Sequence, residues 1–157
     1  MKTKLNLLFV MLISSLCITF TSCSDDDDDD KTTPDYAKEI AATYKGDIFM
    51  VGDNPVATDA IIKVTRIAEN KVKLEMNQDI LTLPINIECE SDVKFANDKY
   101  SIEGKTTVSL PVEGVGTVDA GVELDGNFDK EGNSEINITV KQSEESTIKV
   151  VYKGKKQ

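Results

Sequence analysis

The sequence predicts an all-β fold, a small antiparallel up-and-down barrel of eight or nine strands that follows a short helix. Apolar residues recur at every second position through most of the chain after Thr43, which is the period of a strand with one buried face. Turn-forming runs such as Gly52-Asp53-Asn54-Pro55 and Asp129-Lys130-Glu131-Gly132-Asn133 interrupt this alternation. Short strands separated by turns are typical of sandwiches and barrels, and about eight strands close a barrel that is filled or holds one small ligand.

The individual elements follow from local patterns. Pro34-Asp35 predicts the start of a helix over Tyr36–Ala42, because a proline and an acid are favoured in a first helical turn. The alternation is clearest in Lys71–Met76, where apolar residues alternate with Lys and Glu. The predicted strands are Tyr44–Val51, Ala60–Ile67, Lys71–Met76, Leu83–Cys89, a short edge piece at Val93 and Phe95, Lys99–Thr106, Val108–Val112, Val118–Phe128, Ile136–Val140 and Ile148–Tyr152.

Proline and glycine add two expectations about these strands. Pro111 cannot donate to a ladder, so it predicts an edge or a bulge. Gly104, Gly121 and Gly126 would let strands coil tightly around a small barrel.

The first 22 residues have the pattern of a lipoprotein signal peptide. Lys2 and Lys4 precede a 16-residue, mostly apolar run, Leu5–Phe20, which is shorter than the roughly 20 residues of a membrane-spanning helix. Phe20-Thr21-Ser22-Cys23 resembles a bacterial lipobox, which implies cleavage before Cys23 and acylation of that residue. Multiple acyl chains would anchor the protein to a membrane. The alternative is an ordinary cleaved signal that leaves an unmodified cysteine.

An acidic segment follows, so residues 23–35 are interpreted as a lipidated tether. The run Asp25–Asp30 comes directly after Ser24. It resembles the surface-export signal of lipoproteins in a group of gut-associated Gram-negative bacteria, and this resemblance implies a lipid-anchored protein on the outer face of the outer membrane. The residues that would carry the signal are Ser24, Asp25, Asp26, Asp27 and Asp28. The alternative is a solvated, self-repelling spacer.

Composition narrows the classes of function. The chain of 157 residues has a net charge of −10 and contains neither His nor Trp. The lack of His excludes an imidazole base, a His-containing catalytic triad and a His metal ligand. The acidic balance disfavours nucleic acid as a partner, because phosphates need basic side chains.

The remaining chemistry-bearing residues have structural explanations. Cys89 lies in phase with apolar residues and is predicted to face inward, without a His to activate it. Asn127, Asp129 and Glu131 match the first half of a calcium loop, but Ile138 stands where a bidentate Glu is needed, so a hairpin is preferred. Carboxylates such as Glu75, Glu88 and Glu103 fall on outward positions. We therefore expect no enzyme, cofactor or metal site.

Several strand motifs resemble the calycin-like β-barrel domain of bacterial lipoproteins. The resemblance covers about Ile40 to Val140, and we assign residues 36–157 to the barrel domain. It implies a calycin- or lipocalin-like barrel and transfers no catalytic residue. The motifs are Ala42-Thr43-Tyr44-Lys45-Gly46, Ile62-Lys63-Val64, Val72-Lys73-Leu74-Glu75-Met76, Tyr100-Ser101-Ile102-Glu103-Gly104 and Asn133-Ser134-Glu135-Ile136-Asn137-Ile138-Thr139-Val140.

Two functional hypotheses remain. In the first, the barrel binds a small apolar ligand, because its inward positions are mostly aliphatic and leave little ring volume to fill it. In the second, the core is filled and the outer face contacts a surface protein or glycan partner. The residues expected to line the ligand cavity are Val72, Leu74, Met76, Val122, Leu124, Ile136 and Ile138.

Overall fold

A computed structural model describes residues 34–50, 54–80, 83–112, 114–143 and 146–157. These residues form one compact unit with one short helix and eight strands. The signal peptide, Cys23, Ser24 and the acidic run lie outside the described residues. The elements are α1 (Tyr36–Ile40), β1 (Ala42–Phe49), β2 (Pro55–Ala68), β3 (Lys71–Ile80), β4 (Leu83–Ala96), β5 (Lys99–Val112), β6 (Gly116–Phe128), β7 (Asn133–Lys141) and β8 (Thr147–Lys156).

The eight strands form a closed up-and-down barrel, which confirms the predicted fold class. Each strand pairs antiparallel with the next, and β8 returns to pair with β1, for example Gly46 with Gly154. The buried apolar side chains of all eight strands and α1 form one cluster in the interior. Within the described part of the chain, no helix is long and apolar enough to span a membrane.

The barrel has two different ends. The helix end carries α1 and the β2–β3, β4–β5 and β6–β7 turns, whereas the loop end carries the four other connections. The N–H of Ala37 donates to the carbonyl of Glu69 at 3.1 Å, and Lys156 Nζ donates to the carbonyl of Glu39 at 3.1 Å. These bonds hold α1 against the ends of the strands and close the helix end.

The helix is shorter than predicted for a local reason. Asp35 caps its first turn by accepting from the N–H of Lys38 at 3.1 Å, and it also pairs with Arg66 at 2.8 Å. The helix ends at Ile40 rather than Ala42, because Ala42 already pairs with Val64 in the sheet.

Two predicted strand breaks were wrong. Val93 and Phe95 continue β4 rather than forming a separate edge piece, and the segments 99–106 and 108–112 form one strand, β5. The breaks were predicted where polar residues interrupt the apolar alternation. Ser91 is nevertheless buried in the inner face, and Thr106 is half-buried there.

Pairing between β4 and β5 stops partway along both strands. The register runs from Ala96 opposite Lys99 to Asp92 opposite Glu103 and goes no further. The rest of β4, Leu83–Ser91, pairs with β3 alone, and the rest of β5, Gly104–Val112, pairs with β6 alone. We call these two facing stretches the β4–β5 seam. Pro111 lies in it, so it has a paired strand on one side only, as its sequence pattern predicts.

Candidate functional site

The seven residues predicted to line a cavity all lie in the barrel interior. They belong to the single apolar cluster, and Leu124 lies directly opposite Ile138 across β6 and β7. Val72, Leu74 and Met76 lie on β3, on a different part of the wall. Each of the seven is 0–3% exposed, so water has almost no access to them in this structure. The interior around them is a packed apolar core.

The helix end of the interior is filled by aromatic rings. Tyr44 and Phe128 are at most 1% exposed, with ring centroids 5.1 Å apart. Tyr44 Oη donates to the carbonyl of Ile40 at 2.9 Å, which ties the ring to the end of α1. Burial, together with the nearby Asp129 carboxylate, raises the pKa of Tyr44 to about 12, so the phenol stays a neutral donor at physiological pH.

A second aromatic group lies beneath α1. The rings of Tyr36 and Phe95 stack with centroids 5.5 Å apart, and Phe95 lies 4.8 Å from Tyr100. Lys130 Nζ lies 5.3 Å from the centroid of Phe95, within the range of a cation–π interaction. Aromatic packing of this kind fixes α1 in place over the end of the barrel.

Tyr152 contributes the third large ring of the interior. Its ring lies over Gly154, where a Cβ would collide with it, so a glycine is required there. Its Oη has no hydrogen-bond partner among the described residues. Burial raises the pKa of Tyr152, with smaller contributions from Asp47 and Tyr44. The phenol is therefore a neutral polar group with unused hydrogen-bonding capacity.

The loop end of the interior is aliphatic. Its inward side chains include Ile48, Ile80, Ile85, Val108 and Leu110, all no more than 5% exposed. Such a surface offers contact to an apolar molecule and no hydrogen bond. The residues on β4 and β5 were not among those predicted to line a cavity. Their alternation in the sequence indicated an inner face, but it carries no information about which strand each one faces.

Cys89 lies on the inner face of β4, as predicted. It is 3% exposed, and its Sγ lies 3.4 Å from the carbonyl oxygen of Glu90. Burial raises the pKa of the thiol. A neutral, buried thiol behaves as a small apolar side chain rather than as a nucleophile.

Outward carboxylates form ion pairs with lysines on the same strand or on a neighbouring one. Lys73 Nζ lies 3.2 Å from Glu75 and 2.5 Å from Glu88. Hydrogen bonds from Lys141 and Lys105 lower the pKa of Glu123. These carboxylates lie on the outer face and are paired with lysines, which suits a solvated sheet face better than general acid chemistry.

The calcium-like sequence around Asp129 forms the predicted hairpin turn. Asp129 accepts from the N–H and from the side-chain amide of Asn133, both at 2.7 Å. Gly132 has a positive φ of 82°, a conformation that favours glycine. In the described ranges, no three acidic or cysteine side chains are grouped so that they could share a metal ion.

An open groove of about 470 Å³ crosses the outer face near the helix end. Lys45, Lys99, Lys153 and Lys155 border it together with Asp129 and Glu135. Lys45 already pairs with Asp59 at 2.9 Å. Charged side chains border the groove, which is open to solvent rather than enclosed.

Comparisons with known proteins agree with this architecture. The profile of the calycin-like beta-barrel domain family matches residues 40–155. A crystal structure of a Bacteroides fragilis protein, described as a "putative outer membrane protein", superposes with a TM-score of 0.55 at 15% sequence identity. The match covers 78% of this chain and 53% of that one, so the chain spans about half the length of its structural neighbour. No curated protein matches the sequence.

Proposed function

Because the chain belongs to the calycin-like β-barrel domain family, we propose that it is a binding protein that takes a small apolar ligand into its barrel and is anchored by lipid to the bacterial outer membrane. The continuous apolar inner face, which is aliphatic toward the loop end, carries this proposal. Apolar contact is the main source of affinity in such sites. Binding rather than catalysis is proposed, because the buried polar side chains among the described residues are phenols, hydroxyls and the Cys89 thiol.

The packed interior sets a condition on this function. The seven predicted lining residues leave almost no space accessible to water, so a ligand has to separate side chains that contact each other in this structure. Such a site would replace apolar contacts between its own side chains with contacts to the ligand. Association of the ligand would be slowed, because the barrel has to open first.

Titration with an environment-sensitive apolar dye tests the ligand proposal. The chain from Lys31 onward contains the whole compact unit. We expect saturable binding at one site per chain, displaced by fatty acids, bile acids or sterols. Leu74→Trp, which overfills the interior, should abolish binding. Ile61→Trp is the matched control, because Ile61 is 52% exposed on the neighbouring strand. Absence of saturable binding to the unsubstituted chain would contradict the proposal.

The lipid anchor is proposed from the sequence around Cys23. Acylation would tether the barrel through residues 23–35 without a spanning helix. A clickable fatty acid fed to the native host should label the full-length chain, and Cys23→Ser should lose the label. Cys17→Ser serves as the control, because Cys17 would be removed with the signal peptide. Equal labelling of both variants would contradict anchoring at Cys23.

Exposure on the cell surface is proposed from the acidic run. Protease added to intact cells should degrade the protein. Replacing Asp25, Asp26, Asp27 and Asp28 with Asn should protect it, whereas Asp29→Asn with Asp30→Asn should not. Full protection of the unsubstituted protein would place it in the periplasm.

A filled barrel that acts through its outer face is the second candidate function. The tight packing of the seven predicted residues favours it. Affinity capture from detergent-solubilised outer membrane should then recover a specific protein or glycan partner, and the apolar dye should show no saturable binding. Recovery of this chain alone would count against it.

A further inference from the structure

We propose that the β4–β5 seam admits the ligand and holds it, and that the ligand is a linear acyl chain. The inference rests on the proposed apolar-ligand function and adds both a location and a ligand class. The seam differs from the cavity predicted from sequence, which is assigned to β3, β6 and β7.

The first observation is the interrupted pairing. Both strands continue for nine residues beyond the last β4–β5 pair, while β3–β4 pairing continues to Ile80 opposite Leu83 and β5–β6 pairing to Val112 opposite Gly116. The seam is therefore not a frayed end. It is a line where two well-formed sheets meet without a ladder between them.

The same hairpin is also released on its other side. Pairing between β2 and β3 ends at Ile62 opposite Met76, although β3 continues to Ile80. Residues 77–80 therefore pair with β4 alone and residues 83–91 with β3 alone, so this part of the hairpin pairs with neither β2 nor β5. Side-chain packing, rather than a hydrogen-bonded ladder, holds this hairpin against the barrel.

Two prolines in the sequence prevent ladder pairing at one point of the seam. Ala96 and Lys99 close a two-residue hairpin, and in that register the backbone nitrogens of even residues on β4 and odd residues on β5 face the neighbouring strand. Pro84 and Pro111 both have this parity. Continuing the register places them opposite each other. Proline has no N–H to donate, so a ladder could not form at this point.

The side chains along the seam suit an apolar chain. Ile85 and Ile87 on β4 face the same interior as Val108 and Leu110 on β5, and all four are 2–5% exposed. At the base, a Cβ on Gly104 would collide with Cys89 and Ser91, so the strands are in close contact where the seam begins. The seam is closed in this structure, and opening it separates apolar faces without breaking a ladder.

The dimensions of the seam favour a linear ligand. Nine residues at roughly 3.3 Å each make it about 30 Å long, and it is one layer of side chains deep. An extended acyl chain can lie along it by displacing only the facing residues of two strands. A rigid ring system such as cholate would have to displace side chains across the whole interior.

Crosslinking across the seam tests the route. In the chain from Lys31 onward, with Cys89→Ala so that no native thiol remains, Glu88→Cys and Thr107→Cys place two exposed thiols on opposite sides of the seam. A short bifunctional thiol reagent would then join β4 to β5. The control joins Ser109→Cys to Asp119→Cys, which lie opposite each other in the fully paired β5–β6 ladder.

The outcomes separate the seam from the proposed function. We expect palmitate to displace the dye far better than cholate, and the β4–β5 crosslink to slow association by about tenfold or more, while the β5–β6 crosslink does not. Saturable binding with equal rates in both crosslinked forms, or preference for cholate, would overturn the seam inference and leave the binding function standing. No saturable binding in any uncrosslinked form would overturn both.

Discussion

The helix end and the loop end of the barrel interior are filled by different kinds of side chain. At the helix end, Tyr44 and Phe128 fill the space with rings, and a buried hydrogen bond ties Tyr44 to α1. At the loop end the interior is aliphatic, and the β3–β4 hairpin meets its neighbours without a ladder. The helix end is held by rings, hydrogen bonds and a helix, whereas at the loop end apolar packing alone holds the β3–β4 hairpin against β2 and β5.

This difference indicates where the molecule can change shape. Opening the helix end would break backbone pairs and strip a neutral phenol of its partner, which is costly in an apolar interior. Opening the loop end along the seam separates only aliphatic surfaces, which a ligand can cover again. Local stability in proteins follows such differences in hydrogen bonding and packing. The contrast can be tested by four matched comparisons.

The largest expected effect comes from deleting a large side chain at each end. Phe128→Ala should lower the free energy of unfolding by about 3–5 kcal/mol, because the paired strands around it cannot collapse into the cavity. Leu110→Ala should lower the free energy of unfolding by only about 2 kcal/mol. The facing β3–β4 hairpin is not paired with β5 at this point, so it can move inward and reduce the cavity. Urea unfolding of both variants measures the difference. A loss for Leu110→Ala as large as that for Phe128→Ala would contradict the contrast between the ends.

High pH should weaken the helix end. The folded pKa of Tyr44, about 12, lies above its ordinary value of 10.0, so the unfolded chain releases this proton first. The stabilisation that the neutral Tyr44 phenol contributes is fully present below pH 10. As the pH rises toward 12, the free energy of unfolding falls by about 1.4 kcal/mol per pH unit. Urea unfolding between pH 9 and 12 measures the slope. Tyr44→Phe should reduce that slope, and an unchanged slope would show that Tyr44 does not cause it.

A methyl group added at the base of the seam should destabilise the barrel. Gly104→Ala would push against Cys89 and Ser91 and should lower the free energy of unfolding by about 1–3 kcal/mol. Gly121→Ala is the control, because its Cβ would meet open space, and it should raise stability by about 0.5 kcal/mol. Adding Cys89→Ala to Gly104→Ala should restore part of the loss. Without any such rescue, Cys89 is not the residue that makes the site tight.

Local patterns in the sequence predicted some of these features and not others. Period-two alternation identified the strands and the inward positions, including Cys89, because the polarity of a side chain indicates whether that residue is buried. The same reasoning failed at Ser91 and Thr106, where small polar residues face inward and made continuous strands look broken. Pro111 indicated a strand with one unpaired side. The seam as a whole could not be predicted. Whether a backbone group on one strand is paired depends on a neighbouring strand, and local patterns in the sequence do not give the register between strands. Cys23 and Asp25–Asp30 lie outside the described residues and remain predictions.

The smallest effect compares the two buried phenols, and here we expect opposite signs. Tyr44→Phe removes the bond to the Ile40 carbonyl and should lower the free energy of unfolding by about 1 kcal/mol. Tyr152→Phe removes a buried hydroxyl that has no partner among the described residues, so it should leave stability unchanged or raise it by about 1 kcal/mol. The ring keeps its packing over Gly154 in either case. Thermal and urea unfolding of both variants measure the signs. A loss for Tyr152→Phe equal to that for Tyr44→Phe would mean that the Tyr152 hydroxyl is hydrogen-bonded in solution. The interior would then contain two hydrogen-bonded phenols rather than one.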